Sequence, residues 1–187
     1  MKRTADWTAR ACCGLGLLVL VIGCTGQQHK AITTEKLEPY ECGTITRLHT
    51  YGGVFLASQP AAEDFEMAKK GGIKTVINLR LPEEQKDFDE AEFVRSLGIQ
   101  YYNPGFNGPD MLTDPIFDRV RELLNQAENK PILLHCSSAN RVGAVWLAHR
   151  VLDGGLTYDA ALAEAKTVGL KLPAYEEIAK DYIGRHR

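Results

Sequence analysis

The spacing of hydrophobic positions changes several times after residue 53, and these changes predict alternating strands and helices. Short runs rich in apolar or aromatic residues predict strands over 54–57, 73–79, 100–103 and 131–135. Segments in which apolar residues recur every three to four positions predict helices over 61–70, 88–97, 115–127, 143–152, 158–168 and 174–183. This alternation is typical of an α/β domain with a mainly parallel central sheet flanked by helices.

The first 46 residues follow a different pattern. Residues 1–23 begin with basic side chains and continue into an apolar run, 15–22, that is too short to span a bilayer, which needs about 20 residues. The run ends in Gly23-Cys24, which resembles the lipobox of bacterial lipoproteins. The resemblance implies cleavage before Cys24, acylation of its thiol, and an exported protein anchored in a membrane, periplasmic or on the outer cell surface. An uncleaved anchor, or a cysteine placed there by chance, is the alternative.

The remaining chain divides into a tether and one domain. Residues 24–46 show no apolar periodicity and predict a tether, and residues 47–187 predict the folded domain. The hydrophobic fraction of 44% and the charged fraction of 25% are ordinary for a globular protein. A net charge of −2 gives no reason to expect a nucleic-acid partner. We see no His and Cys spacing typical of a metal site and expect neither metal nor organic cofactor.

The segment from Ile132 to Trp146 carries the candidate chemistry. A predicted buried strand ends at His135, Cys136 opens a short loop, and Arg141 closes it where a helix begins. Unpaired N–H groups at a helix N-terminus favour the thiolate form of a cysteine and bind oxyanions, of which phosphate is the most typical. An arginine adds a fork of donors for two oxygens. The sequence therefore predicts Cys136 as a nucleophile in an oxyanion site, the alternative being a cysteine that is merely buried.

Other residues of the segment have supporting roles. The predicted phosphate-binding residues are Ser137, Ser138, Ala139, Asn140 and Arg141, chiefly through their backbone N–H groups. We expect a ring hydrogen bond from His135 to backbone to orient the loop, and Gly143 to allow close packing of the helix start. After processing, Cys42 and Cys136 carry the free thiols, and whether they pair in an oxidising compartment is open.

The motif His135-Cys136 with Arg141 resembles the signature of cysteine-dependent protein tyrosine and dual-specificity phosphatases. Four residues separate cysteine from arginine here, where five are usual. The shorter loop, with the blocks 55–60 and 72–80, is similar to a bacterial branch, the phosphatase-like domain also found fused to beta-lactamase-hydrolase-like proteins. This resemblance extends over roughly residues 50–170. It implies hydrolysis of phosphomonoesters, with phosphotyrosine or another phosphoprotein as candidate substrates, through a phosphocysteine intermediate.

A general acid is expected on the loop after the third predicted strand, 105–114, because ligands of open α/β sheets gather at the carboxyl ends of strands. Related phosphatases also place their acid there. Asp110, near glycines and a proline, is our candidate, and an ordinary turn aspartate is the alternative. Asp114 precedes Pro115 and predicts a helix N-cap. Arg80 follows another strand and either holds an anionic substrate or makes a structural ion pair.

Two other functions stay open from the sequence. Rhodanese-type sulfurtransferases also use a strand, a cysteine loop and a helix, and the short loop favours them. In contrast, His135 and the Ser58-Gln59-Pro60 block favour the phosphatase branch. The phosphatase loops commonly carry glycine where Ala139 stands and Ser or Thr where Val142 stands. A non-catalytic oxyanion-binding lipoprotein is therefore the third hypothesis.

Overall fold

The computed structural model describes residues 34–86 and 88–187. The strands are β1 Glu38–Pro39, β2 Leu48–Tyr51, β3 Val54–Ala57, β4 Thr75–Asn78, β5 Gln100–Tyr102 and β6 Ile132–His135. The helices are α1 Ala62–Lys70, α2 Glu90–Ser96, α3 Asp114–Asn125, α4 Asn140–Leu152, α5 Tyr158–Val168 and α6 Pro173–Arg185. The predicted signal peptide and Cys24 lie outside the described residues.

The six strands form one sheet in the order β1-β2-β3-β6-β4-β5. The four strands from β3 to β5 run parallel, and β1 and β2 are antiparallel additions at one edge. His135, the last residue of β6, lies in register with Ala57 on one side and Asn78 on the other. The predicted α/β class with a mainly parallel central sheet is confirmed, and the ends of three parallel strands meet beside Cys136.

Two apolar cores lie on the two faces of the sheet. Helices α1 and α2 cover one face around Phe65 and Val94, while α3 to α6 cover the other around Trp146. Cys136 belongs to the larger core, and Cys42 packs against the smaller one. Both thiols are free, because they pack on opposite faces of the sheet.

Helix α4 is buried along almost its whole length, from Arg141 to Val151. Helices α3, α5 and α6 all contact it, so it has no solvent face and therefore little amphipathic signal in its sequence. A Cβ at Gly143 would lie 2.7 Å from the backbone nitrogen of Leu170 and 2.8 Å from the carbonyl oxygen of Ala165. Only glycine allows the first turn of α4 to approach the end of α5 this closely.

Residues 34–46, assigned to the tether from the sequence, make regular contacts with the domain. Strand β1 pairs with β2, and the Thr44 backbone N–H and hydroxyl each donate to the Asp64 carboxylate at 2.8 Å. The predicted tether is therefore wrong over this part. Besides backbone pairing and polar bonds, Leu37, Tyr40, Cys42 and Ile45 pack against the two cores, but their spacing has no regular period that the sequence would reveal. Within the described ranges, none of the helices combines the length and apolarity that a bilayer crossing demands.

Candidate active site

The candidate nucleophile lies at the carboxyl end of β6, where a three-residue turn leads into α4. Cys136 is 1% exposed, whereas Ser137 and Ser138 are exposed to solvent. Ala139 has a φ of +66°, in the left-handed region, which costs an alanine about 1–2 kcal/mol. Its methyl group is fully buried, so the surrounding packing, rather than local preference, holds the turn in this shape.

The backbone N–H groups of this turn are unpaired. In the part of the chain that the structure describes, no protein atom accepts a hydrogen bond from the N–H groups of residues 137–141. On either side the pairing resumes: Cys136 donates to the Ala57 carbonyl at 3.4 Å, and Gly143 donates to the Ala139 carbonyl at 2.9 Å. Five consecutive free donors at the start of a helix form a site for an anion.

The Arg141 guanidinium is buried and held in one orientation. Its two terminal nitrogens donate to the two carboxylate oxygens of Glu84, Nη1 at 2.8 Å and Nη2 at 2.7 Å. Nη1 also donates to the carbonyl oxygens of Leu79 and Phe106, at 3.1 and 2.5 Å. None of the described residues accepts from the other edge, formed by Nε and the second Nη2 hydrogen. That edge is a two-donor fork that matches an oxyanion.

The charges of the Arg141–Glu84 pair support each other. Burial lowers the pKa of Arg141, but the hydrogen bonds to Glu84 and the neighbouring negative charges together outweigh burial, and the pKa is raised. The same hydrogen bonds are the largest influence on Glu84 and hold its pKa below the usual range. Both side chains are therefore charged around neutral pH, and Glu84 fixes the guanidinium without neutralising its free edge.

A second, fully buried polar cluster lies behind the nucleophile. His135 is 0% exposed, and its Nε2 lies 3.0 Å from Oε1 of Glu90, itself 1% exposed. The contact is short but poorly aligned, and neither ring nitrogen has an aligned hydrogen-bond partner in the described chain. The predicted ring bond from His135 to backbone is therefore wrong, because the ring faces a carboxylate instead.

Glu90 is satisfied by neutral donors as well. Its carboxylate accepts from Gln59 Nε2 and Asn78 Nδ2, both at 2.7 Å, and from the Tyr101 hydroxyl at 3.1 Å. Burial raises the pKa of Glu90, but the facing His135 ring and these donors outweigh burial and lower the pKa. The carboxylate is thus charged in the interior, and it faces His135, the residue directly before Cys136.

Arg80 joins the two clusters. Its Nη1 donates to Oε1 of Gln59 at 2.6 Å, and its Nη2 donates to the carbonyl oxygen of Glu84. Of the two alternatives for Arg80, a structural role fits these contacts, because both terminal nitrogens already have protein acceptors.

A cavity of about 310 Å³ opens beside this junction. Its lining includes Thr44, Pro60, Arg80, Lys86 and Phe88, but neither Cys136 nor residues 137–141. The cavity therefore does not contain the nucleophile or the anion-binding turn. Within the described ranges, no three His, Cys, Asp or Glu side chains lie close enough together to hold a metal ion.

The candidate acid, Asp110, lies on a loop that is anchored on both sides. Phe106 accepts from Arg141, and the Gly108 N–H donates to the Tyr175 hydroxyl at 3.0 Å. Asp110 itself is exposed in the 3₁₀ turn Pro109–Met111, and no described residue forms an ion pair or hydrogen bond with it. Its carboxyl group is therefore available to a ligand.

Asp114 does not cap a helix. It is the first residue of α3, Thr113 occupies the N-cap position, and no side chain caps the helix. The Asp114 carboxylate instead accepts hydrogen bonds from both terminal nitrogens of Arg185, one of them at 2.8 Å. The predicted N-cap is wrong because a two-bond ion pair with a residue 71 positions away replaces the local cap.

The side-chain oxygen of Asn140 is also occupied. This Oδ1 accepts from the backbone N–H groups of Lys171, at 2.8 Å, and Leu172, at 3.2 Å, in the connection between α5 and α6. These bonds tie the start of α4 to that connection and leave the backbone N–H of Asn140 unpaired for an oxyanion.

Three residues of the site escaped the sequence analysis: Glu84, Glu90 and Gln59. Glu90 had a readable signal, because it lies on the helical stripe of Val94 and Leu97, where a carboxylate must find buried partners. Glu84 stands beside Glu83 in a polar turn, and nothing local distinguishes the two. Gln59 was read only as part of a sequence block.

No family model matches the sequence, and no curated protein matches it either. Solved structures do. A DUF442 protein of Shewanella putrefaciens CN-32, named as a candidate phosphatase, aligns with a TM-score of 0.64 and 19% identity over 76% of this chain and 95% of its own. TpbA of P. aeruginosa aligns at 0.62 and 19% identity over 81% and 90% of the two chains. Tk-PTP in its active form aligns at 0.59 and 19% identity over 72% and 93%. At these identities the likeness concerns the fold, and the chain has a phosphatase-like α/β fold.

Proposed function

We propose that the protein hydrolyses phosphomonoesters through a phosphocysteine intermediate. One observation carries the proposal: Cys136 opens a turn with five unpaired N–H groups, and Arg141, at the end of that turn, keeps a two-donor edge without a protein acceptor among the described residues. Fixed donors aimed at an oxyanion stabilise the charge that spreads over the phosphoryl oxygens during transfer. In this arrangement a phosphoryl group bound by the turn would lie next to the Cys136 thiolate that attacks it.

The reaction has two steps in this proposal. The Cys136 sulfur attacks phosphorus, the bond from phosphorus to the leaving oxygen breaks, and the Asp110 carboxyl group gives that oxygen its proton. A water molecule then attacks the phosphocysteine, the S–P bond breaks, and the Asp110 carboxylate takes the proton of that water. The N–H groups of 137–141 and Arg141 hold the equatorial oxygens throughout. Inorganic phosphate leaves, and the thiolate is restored.

The structural comparison supports this assignment. TpbA, which has the same fold, has been crystallised in complex with pTyr. We extend this to the present chain as a proposal: an aryl phosphate such as phosphotyrosine, free or in a phosphoprotein, is a substrate.

The test follows aryl phosphate hydrolysis by the reduced full chain. Cys136→Ser should abolish turnover and retain phosphate binding, while Cys42→Ser, the matched control, should keep its activity. Asp110→Asn should lower kcat by roughly 10²–10⁴-fold, the usual contribution of a positioned acid. Asp159→Asn, at an exposed aspartate of α5, is its control. Full activity in Cys136→Ser would refute the proposal.

A parallel assay separates the alternatives. Sulfur transfer from thiosulfate to cyanide without phosphate release would establish a sulfurtransferase. Silence in both assays, together with phosphate binding, would establish an oxyanion-binding protein without turnover.

We further propose that the chain is exported and lipid-anchored through Cys24, on its lipobox-like sequence. Labelling with a radioactive fatty acid in a bacterial host should mark the wild type and not Cys24→Ser. Equal labelling of the two would contradict the anchor.

A further inference from the structure

The backbone N–H and both polar groups of the side chain of Gln59 form hydrogen bonds at the candidate site. Its backbone N–H donates to the carbonyl oxygen of Ser137 at 3.2 Å, within the anion-binding turn. Its side-chain Nε2 donates to Oε2 of Glu90 at 2.7 Å and to the carbonyl oxygen of Pro60 at 3.0 Å. Its side-chain oxygen accepts from Nη1 of Arg80 at 2.6 Å.

Two of the three side-chain bonds of Gln59 connect it to the residues around the nucleophile. On one side, Glu90 faces His135, which directly precedes Cys136. On the other side, Arg80 donates to the backbone of Glu84, whose carboxylate holds Arg141. Gln59 thus lies between a buried carboxylate, which faces the residue before Cys136, and a guanidinium, which is connected to Arg141 through Glu84.

The chemistry of this position is specific to an amide. The group must donate to the Glu90 carboxylate and accept from the Arg80 guanidinium at the same time. An ionised carboxylate only accepts, lysine and arginine only donate, and an aliphatic side chain does neither. Glutamine therefore satisfies both neighbours without adding a charge to either cluster.

We infer that Gln59 is a positioning residue that fixes the backbone of the anion-binding turn relative to the guanidinium group of Arg141. The inference rests on the proposed function, because the turn is the part that would hold the phosphoryl group. Gln59 acts through Glu90, Arg80 and the Ser137 carbonyl, and it has no part in bond making.

The test compares Q59E and Q59M with Q100M, the same chemical change at an exposed residue of edge strand β5. When protonated, the carboxyl group introduced by Q59E can donate to Glu90 and accept from Arg80, as the amide does. At higher pH two facing carboxylates repel, so one of them keeps its proton only up to a raised pKa. Q59E therefore keeps the hydrogen bonds to Glu90 and Arg80 at low pH and loses the bond to Glu90 as pH rises. Q59M lacks both bonds at every pH.

The readout does not depend on turnover. Iodoacetamide alkylation of Cys136 in the full chain is followed by mass spectrometry of its peptide from pH 5 to pH 8, with and without inorganic phosphate. We expect phosphate to protect Q100M and the wild type equally. In Q59M the phosphate concentration for half protection should rise about tenfold, the equivalent of one hydrogen bond to a charged group. Q59E should resemble the wild type near pH 5 and Q59M near pH 8.

The outcomes are distinguishable from those for the proposed function. Suppose that Q59M weakens protection by phosphate, but the wild type releases no phosphate from aryl phosphates. This result supports the positioning role of Gln59 and refutes the phosphatase activity. A melting temperature that falls in Q59M and Q59E without any change in protection or its pH profile overturns the inference, since a structural role alone gives that result. If Q59M does not fold, the comparison of phosphate protection in Q59E at pH 5 and pH 8 tests the inference within a single variant. A wild type without phosphate protection contradicts both proposals.

Discussion

Replacing Glu84 by glutamine should weaken the candidate site without unfolding the protein. The carboxylate receives two short hydrogen bonds from Arg141, at 2.8 and 2.7 Å. The amide of Glu84→Gln has one oxygen, so it can keep one bond and turns an NH₂ group toward a guanidinium. The Leu79 and Phe106 carbonyls still hold Nη1, so the arginine stays in place but loses its alignment.

The expected magnitude follows from the partial burial of the pair. An exposed ion pair contributes about 0–1 kcal/mol, and removing one partner of a buried pair costs about 3–5 kcal/mol. The side chains here are 20% exposed for Glu84 and 8% for Arg141, which places the cost at about 2 kcal/mol for one lost charge-assisted bond. If Arg141 holds the transition state, this is about a 30-fold loss of kcat/KM.

The neighbouring residue supplies the control. Glu83→Gln makes the same change one position earlier, at an exposed side chain in the same turn. We measure kcat/KM for an aryl phosphate and the melting temperature of both variants. Because the folded pKa of Glu84 is lowered, its stabilising effect is present above the pKa of an unfolded glutamate, about 4.3, and is lost as pH falls through the folded pKa. Activity and acid stability of Glu84→Gln equal to those of Glu83→Gln would refute the assigned role of the pair.

Three further predictions concern packing, titration and oxidation. Gly143→Ala places a Cβ 2.7 Å from a backbone nitrogen and should cost about 1–3 kcal/mol, seen as a lower melting temperature. Gly184→Ala, in open space on α6, should not lower it, and equal effects would contradict the packing argument. Burial raises the pKa of Tyr182 to about 12, so the stabilising effect of its hydroxyl should be complete below pH 10 and disappear as pH rises through 12. In Tyr182→Phe the free energy of unfolding should therefore fall less steeply at alkaline pH. The same slope as in the wild type would contradict this prediction. Mild oxidation should produce no disulfide between Cys42 and Cys136, because they pack on opposite faces of the sheet, and a cross-linked peptide pair in a non-reducing digest would show otherwise.

The elements that bury apolar surface were predictable from the sequence. Helix α5 has the predicted bounds, 158–168, because its apolar period and its Thr157 cap are both local features. Strands β3, β4 and β6 lie within their predicted runs for the same reason. Strands β1 and β2 escaped prediction, since β1 depends on pairing with β2, and β2 on pairing with β3, and neither has an apolar run of its own.

The candidate site also has one part that was predictable from the sequence and one part that was not. The cysteine loop is a local feature, and its start after β6 and its end in α4 follow from neighbouring residues. The groups that orient it come from distant positions: Glu84 and Arg141 are 57 residues apart, and Asn140 is held from 31 residues away. Pairings over such separations depend on the finished sheet, and a single sequence contains no periodic signal for them.

The two ends of the sheet bear on how this chain behaves at high concentration. One edge is β1, only two residues long, with Pro39 unable to donate a backbone hydrogen bond. The other edge is β5, three residues long, where the Arg119 guanidinium lies 5.2 Å from the centre of the Tyr102 ring. Short edges marked by a proline and a charged side chain are poor templates for a strand from another molecule. The described domain is therefore built to resist edge-to-edge aggregation, which suits a protein whose parallel strands pair only after long crossover connections have folded.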